Sequence, residues 1–600
     1  MNVRALWRRE SGERQEAEEA AAARCLACDA DLEGSRAYER YRVCHACGHH
    51  FHLTGPERVA GILDPGSFHE NDRSVTALDP INFREPHSYR HRVIEAQRRT
   101  GLAEAALTGT GTLFGREVVI AALDFSFLGG SIGVASGERL ARAFERAADR
   151  RLAVITVLST SGTRMREGLI ALMQLPRLVA AHQKLADRGL PHIAVLSDPT
   201  TGSAYAGLAN LADYIVAEPD ALVGYSALRA LRERAGEELP EGAHTSGSHL
   251  RHGLIDAVIR REDLRPSLGL LLDLLMSNYE LRRISRPEAD REDYSQLEPW
   301  RQVQLSRHEN RPTAPDLICR MTTTYVEIHG DRSGEDDPAV TAGIGLLGGE
   351  AVMLIGQNRP HDDDSSGYIG PAGFRKASRA MELAAKFRLP LITLLDSAGA
   401  KPDLAAEEAG LGHALARCTQ TMLSLRVPTL AVISGEGSSE AAVSMGVADR
   451  VLMLENAVYE VVSPEDAAMR LYREVSQADE VAERLRLTSN DCLELGIVDA
   501  VVPEPGDGAH TNHQEAALLL RRSIVRALTG IQRQRPSRRL NRRHARYRSM
   551  GDSHSWVRGR LERRRADLSD RFGEWLEGLA RRARRMPKLA EPPPDPEILR

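Results

Sequence analysis

The amino-acid sequence predicts an α/β protein: two tandem domains of one design, preceded by a small four-cysteine zinc ribbon. Three observations predict it. The first is residues 191–225, PHIAVLSDPTTGSAYAGLANLADYIVAEPDALVGY, where an apolar run, a polar turn, a small-residue segment and a second apolar run follow one another. That order reads as buried strand, glycine-containing turn, helix, strand. The second is residues 428–463, PTLAVISGEGSSEAAVSMGVADRVLMLENAVYEVVS, which repeat the layout; Pro191 matches Pro428, Val195 matches Val432 and Asp213 matches Asp449. An offset of about 237 residues marks duplication of whole domains rather than a short-period solenoid. The third is the spacing Cys25-x2-Cys28-x15-Cys44-x2-Cys47. Each CxxC turn aims two thiolates at one point, and the loop between brings the pairs together as a tetrahedral zinc site. Four thiolates leave no open coordination position, so the expected zinc is structural.

The elements follow in order. Residues 1–23 are rich in Arg, Glu and Ala and read as a helical or disordered arm, and 24–54 form the ribbon. Residues 55–277 are the first domain. Its polar start holds one helical stretch near 89–99, and two strands and a turn at Gly129, Gly130 and Gly133 follow in LTGTGTLFGREVVIAALDFSFLGGSIG. Those glycines lack the GxGxxG spacing of a nucleotide loop, so a tight turn is expected. A helix, the strand LAVITVLS, the turn TSGTRMREG, the opening stretch and a Leu-rich helix at 264–276 complete the domain. A polar connector spans 278–315. Residues 316–530 start the pattern again, with LPLITLLDSAGAKPDLAAEEAG parallel to LAVITVLSTSGTRMREG and LGIVDAVVPEP parallel to HGLIDAVIRRED. Residues 531–600 form an Arg-rich tail, helical or disordered.

Composition narrows the function classes. A net charge of -5 over 600 residues argues against a global nucleic-acid or membrane surface. No run approaches the ~18 apolar residues of a membrane span, and no secretory signal is visible at the N-terminus. Seven cysteines, four of them in CxxC pairs, suit a reducing cytoplasm. The Arg-rich tail and the ribbon together leave a nucleic-acid-binding zinc protein as an alternative of another class. Against it, Arg alternates with Glu and Asp in LERRRADLSDRFGEWLEGLARRARR, which reads as a solvated helix.

Specific motifs carry a family resemblance over roughly residues 24–551. The four-cysteine module, DFSFLGGSIGVASGER, SGTRMREG, SDPTTGS and IVAEPDALVGY resemble the β subunit of bacterial acetyl-CoA carboxylase carboxyltransferase. PWRQVQLSRHENRP, GFRKASRAMELAAKF, DSAGA, GEGSSEAA, VVSPEDAA and RYRSMG resemble its α subunit. The resemblance implies two crotonase-like (ClpP/crotonase) domains of repeated ββα units. It also implies carboxyl transfer from carboxybiotin, held on a carrier protein, to acetyl-CoA or a related short acyl-CoA. Backbone N–H groups at strand-to-helix turns would stabilise the two anions involved, an acyl-CoA enolate and the biotin ureido oxyanion. The implied positions are Ser161, Gly162, Gly202 and Ser203 on the acyl-CoA side, with Gly399, Ala400, Glu440 and Ala441 in the second domain and Glu440 and Ala441 on the biotin side. Ser161 and Gly162 would donate to the enolate. Arg164, Arg375, Gly129 and Gly130 are the candidate contacts to CoA, with a salt bridge as the other reading of the two arginines. No biotinylation site or ATP-grasp loop is visible, so biotin carboxylase and the biotin carboxyl carrier protein are expected as separate chains. A homodimer is implied.

Departures from the family pattern fall at these turns. Ser161-Gly162, Gly202-Ser203 and Glu440-Ala441 stand where the family has paired glycines, and Gly224-Tyr225-Ser226-Ala227-Leu228 replaces its GFAGP. Two readings therefore stay open: an active carboxyltransferase with a changed pocket, or a paralogue with altered acyl-enolate chemistry, such as a decarboxylase or a biotin-independent acyl transferase.

Overall fold

Alternate residues of one strand show how the first domain is layered. Val119, Ala121 and Leu123 enter one hydrophobic cluster, and Val118, Ile120 and Ala122 enter another. Successive side chains of a strand point to opposite faces, so this sheet is covered on both. In the computed structural model, residues 24–77, 79–83, 88–226, 231–233, 239–240, 242–276, 297–359 and 367–550 are described. The expected arm, the first half of the connector, Ala227, Leu228 and the end of the Arg-rich tail lie outside the described residues.

The first sheet contains β1 (His69–Asn71), β2 (Ala106–Leu113), β3 (Arg116–Leu123), β4 (Ala153–Thr160), β5 (His192–Thr201), β6 (Tyr214–Ala217), β7 (Val223–Gly224) and β8 (Ala257–Val258). Its order is β1-β2-β3-β4-β5-β6-β8, with β7 paired to the far end of β5. β1, β2 and β3 pair antiparallel and the rest parallel. Helix α1 (Gly55–Ile62) has a capping box between Thr54 and Glu57. With α2 (Val134–Arg150), α3 (Gln174–Asp187), α4 (Gly202–Gly207) and α5 (Arg261–Met276), it covers the sheet. The 193–196 strand continues through the polar SDPTT segment to Thr201, because Thr200 and Thr201 find partners in β7.

The second half repeats this. Helix α6 (Pro299–Ser306) precedes β9 (Tyr325–Glu327), β10 (Val340–Leu347), β11 (Glu350–Gln357), β12 (Tyr368–Ile369), α7 (Pro371–Phe387), β13 (Leu391–Ser397) and β14 (Gly399–Ala400). Then come α8 (Leu411–Ser424), β15 (Thr429–Ser438), α9 (Ser439–Gly446), β16 (Arg450–Leu454), β17 (Val458–Glu460), α10 (Pro464–Tyr472), β18 (Ala500–Val502), α11 (His513–Gln532) and α12 (Pro536–Ser549). The strand order, β18-β16-β15-β13-β11-β10-β9 with β17 on β15, matches the first sheet strand for strand.

The two aspartates matched in the sequence do the same job. Asp213 accepts the His192 N–H at the start of β5 (2.9 Å), and Asp449 accepts the Thr429 N–H at the start of β15 (2.9 Å). Each also holds a cation from later in the chain. Lys386 of α7 reaches Asp213 at 2.6 Å, and Arg543 of α12 reaches Asp449 at 2.7 Å. Two arginines of α12 are therefore used in packing: Arg539 and Arg543 are buried. The halves join through further charges. Arg332 and Arg379 both hold Asp256, and Gly253 and Gly330 touch through backbone.

Candidate functional site

The four ribbon sulfurs come together as the spacing predicts. Their Sγ atoms all lie within 4.8 Å of one another, with Cys25–Cys47 at 3.6 Å and Cys28–Cys44 at 3.7 Å. A tetrahedron of Zn–S bonds of about 2.3 Å has S–S edges of about 3.8 Å, so the donor set fits zinc. Backbone N–H groups of Cys47 and Ala46 hold the Cys44 thiol down at about 6, which favours the thiolate a metal needs. His45, His49 and His52 are exposed, but His50 packs its ring near Glu218 (3.9 Å). Glu218 is a buried hub. It accepts from Arg58 (2.8 Å) and from Arg261 (2.8 Å), and Arg261 also donates to the ribbon carbonyls of Tyr41 and Arg42 (3.1 and 3.3 Å). Arg58 continues to Ser197 Oγ on β5 at 2.6 Å. The ribbon is thus docked onto the strand that ends at the Gly202 turn.

In the first half, two turns far apart in sequence meet backbone to backbone. Gly162 (φ 96) and Gly202 (φ 66) both lie in the left-handed region. A Cβ on Gly162 would sit 3.0 Å from Gly202 Cα and 3.2 Å from Ser203 N, and one on Gly202 would sit 3.1 Å from Gly162 Cα. Only glycine permits this approach. Ser203 lies at the meeting point, its hydroxyl accepting from Thr163 Oγ1 at 2.8 Å. Ser161 and Gly162, the expected enolate donors, have their N–H groups engaged within the protein. The Ser161 N–H already donates to Gly129 O (2.8 Å) and the Gly162 N–H to Thr160 Oγ1 (3.0 Å). The Gly202 N–H likewise donates to Tyr225 O (3.0 Å). The donors this turn can offer are the N–H groups of the first turn of α4, at Ser203 and Ala204, which have no partner inside the helix.

The second half builds the same pair. Gly399 (φ 127) meets Ser439 (φ 55); a Cβ on Gly399 would lie 3.0 Å from Ser439 Oγ. Glu440 and Ala441 follow in the first turn of α9, with Glu440 exposed and Ala441 buried. Ala400 pairs in β14 with Ile369 of β12. Gln357 braces the turn from behind, donating to Ala441 O (2.9 Å) and accepting from Ser397 Oγ (3.1 Å). Sequence reasoning missed Gln357, which the apolar run of β11 conceals.

Of the four expected CoA contacts, Arg164 and Gly130 are buried, and Gly129 and Arg375 are partly exposed. Arg164 is buried in an ion-pair cluster with Glu104 and with Glu167 (3.2 Å). Burial disfavours its charge, but Glu104 more than compensates and raises its pKa. Glu167 in turn accepts from Tyr89 Oη (2.5 Å) and from the Val134 N–H that opens α2 (2.6 Å). Arg164 thus makes salt bridges, one to Glu167 three residues on and one to Glu104, 60 residues away, which spacing could not indicate. Gly130 is packed onto β4, where a Cβ would meet Ser159 O at 2.1 Å, and Gly129 receives the Ser161 N–H. Both brace the Gly162 turn. Arg375 is different. It holds Asp331 (2.7 Å), is one-third exposed, and lines a cavity of about 460 Å³ with Arg332, Arg379, His413 and Arg417.

Comparison with known proteins follows the same division. The family model "Acetyl co-enzyme A carboxylase carboxyltransferase-like" matches residues 276–551. The acetyl-coenzyme A carboxylase carboxyl transferase subunits beta/alpha of Salinispora tropica is 39% identical over 542 residues, covering 88% of this chain and 96% of that one. A Mycobacterium bovis protein, the probable biotin-dependent acyl-coenzyme A carboxylase beta3 subunit, is 35% identical over 499 residues, covering 83% of this chain and 99% of that one. Among solved structures, transcarboxylase 12S with methylmalonyl-coenzyme A and methylmalonic acid bound superposes with a TM-score of 0.65 at 21% identity, covering 80% of this chain and 90% of that one. That likeness bears on the fold, and it agrees with the crotonase-like architecture expected from the motifs.

Proposed function

Since the chain belongs to the acetyl-CoA carboxylase carboxyltransferases, in their fused beta/alpha form, we propose that it moves a carboxyl group from carboxybiotin to acetyl-CoA or a related short acyl-CoA. One observation carries the reading: each half holds a pair of contacting left-handed turns at the mouth of a helix, at matching positions. Two such turns suit a reaction that must stabilise two anions.

Carboxybiotin supplies the carboxyl group and, once relieved of it, a basic nitrogen. The chain's own residues orient and stabilise. On the acyl-CoA side, the first-turn N–H groups of Ser203 and Ala204 face the thioester oxygen as the enolate forms, and Gly162 keeps the approach open. On the biotin side, the N–H groups of Glu440 and Ala441 face the ureido oxygen, with Gly399 opposite. Arg375 and its cavity offer guanidinium groups to the phosphates of CoA. Four cysteines hold a structural zinc that fixes the ribbon.

The apolar surface supports a homodimer. Met165 (73% exposed) and Leu169 (69%) flank the first turn, and Leu404 (72%) and Val461 (81%) flank the second. Exposed apolar side chains beside both turns suit a dimer that covers one half's turn with the other half of its partner. The carrier and the biotin carboxylase act as separate chains. No described helix is long and apolar enough to cross a membrane, and the unlinked cysteines suit the cytoplasm.

The test incubates purified protein with malonyl-CoA and the biotin carrier and follows acetyl-CoA. Biotin-dependent product supports the proposal; its absence with every short acyl-CoA sinks it. A second reading, altered acyl-enolate chemistry, rests on Glu440, whose carboxylate stands in the first turn of α9 where an anion must dock. Carrier-independent release of acetyl-CoA would select that reading.

A further inference from the structure

Directly behind the biotin-side turn lies a pair of buried acids. β15 and β17 run parallel, with Glu436 opposite Val458 and Ser438 opposite Glu460. Glu436 and Ser438 are two apart and share a face of the sheet. The Glu436 and Glu460 residues are 2% and 6% exposed, and Arg307 reaches both carboxyl groups, at 2.6 and 3.8 Å. Neither oxygen of Glu460 has a hydrogen-bond partner among the described residues. An ionised carboxylate only accepts, so two buried side by side disfavour ionising together.

Among the described residues, the surrounding cations are too few to hold both as anions. Arg307, which follows α6, reaches Glu436 and Glu465 of α10 at 2.6 Å each and Glu460 at 3.8 Å. Arg359, which follows β11, holds the other oxygen of Glu436. Two guanidinium groups thus face three carboxyl groups. Deeper in, Asp396 of β13 accepts the Glu436 N–H (2.9 Å), and Arg311 is taken by Glu504 (2.6 Å). Burial and then the Glu436 charge push Glu460 up to about 9, and burial pushes Asp396 up to about 6. Burial works against Glu436 as an anion, but Arg359 and Arg307 hold it below the usual carboxylate range.

We propose that Glu436 and Glu460 share one proton, and that this proton keeps excess negative charge from gathering behind the Ser439–Ala441 turn. The proposal rests on that turn being the biotin side. Glu460 is then a positioning residue. Carboxyl transfer consumes no net proton, so the shared one stays on the pair. When it leaves, two anions repel across the β15–β17 pairing and oppose the ureido oxyanion through the turn.

Two measurements on the full-length protein test this. Infrared spectra at about pH 8, above the Asp396 titration, should show a protonated carboxyl in the wild type. The band should vanish in Glu460→Gln, and also in Glu436→Gln, where Glu460 is left with Arg307 and ionises. A band that persists in Glu436→Gln would mean that Glu460 holds its proton alone, and would overturn the sharing. In the transfer assay, wild-type kcat/KM should fall to about a tenth one pH unit above the Glu460 titration. Glu460→Gln should lose that alkaline fall, whereas a side chain that merely packs would lower activity equally at every pH. An unchanged alkaline limb would overturn the positioning role. A chain with no transfer activity would defeat the proposed function, while the infrared band would still decide the proton.

Discussion

The two halves use one backbone plan at their turns and fill it with different side chains. In the first half both left-handed positions, Gly162 and Gly202, are glycine, and the residue after them is the small Ser203. In the second half the equivalent positions are Gly399 and Ser439, and Glu440 follows. A left-handed conformation costs a non-glycine residue roughly 1–2 kcal/mol, so the second turn carries strain that the first does not. Its helix also opens on a carboxylate, which complements the helix dipole but competes with any incoming anion. The scaffold therefore tolerates a change in one turn that would be far harder to accommodate in the other, because only the first has backbone packed against both glycines.

Metal removal should separate the halves most. A structural zinc would contribute on the order of 10 kcal/mol to its own module, and among the described residues the four-cysteine cluster belongs to the ribbon that the first half docks through Arg261 and Glu218. Chelation should release the ribbon and expose residues 24–54 to protease while the second half stays protected. Uniform cleavage across both halves would contradict this. Next in size, Gly202→Ala should destabilise by about 2–4 kcal/mol, from left-handed strain and crowding against Gly162 Cα. Ser439→Gly should act in the opposite direction, stabilising by about 1 kcal/mol in denaturant titrations. Equal signs for the two would break the comparison of the turns.

The pH dependence of stability is a further contrast, because the shared-proton pair belongs to the second half. Glu460 binds its proton more tightly folded than unfolded, so its contribution is present at low pH and is lost as pH rises from its ordinary range through about 9. Glu460→Gln should flatten that decline in melting temperature. The smallest effect is that of Glu440→Gln, which should cost roughly 0.3–1 kcal/mol through the helix dipole and yet tighten binding of a biotin-side anion. Weaker binding would show that the Glu440 carboxylate is not the obstacle.

Much of this was legible in the sequence, and for physical reasons. The strand–turn–helix repeat is local, so its periodicity and its glycines show it. The four cysteines declare themselves by spacing. The motifs singled out Gly162 and Gly202 but not their contact, nor the engagement of the Ser161 N–H by Gly129 O, which arrives from another loop. Arg164 looked like a ligand contact because Glu104 lies 60 residues upstream. Glu460 gave no signal at all: a glutamate in a short strand reads as an exposed edge residue until Glu436 and Arg307 are seen around it.

Among the described residues, Asp213 and Asp256 of the first half find their ion-pair partners in Lys386, Arg332 and Arg379 of the second. The first half leaves the ribosome before those cations exist, with two carboxylates prepared for partners still to be synthesised. Covalent fusion resolves this. Linkage in one chain presents the second half at an effective concentration on the order of millimolar, whatever the cellular level of the protein. The joint between the halves thus acts as an intramolecular docking reaction, and it guarantees one complementary half for each copy without any need to balance the expression of two separate genes.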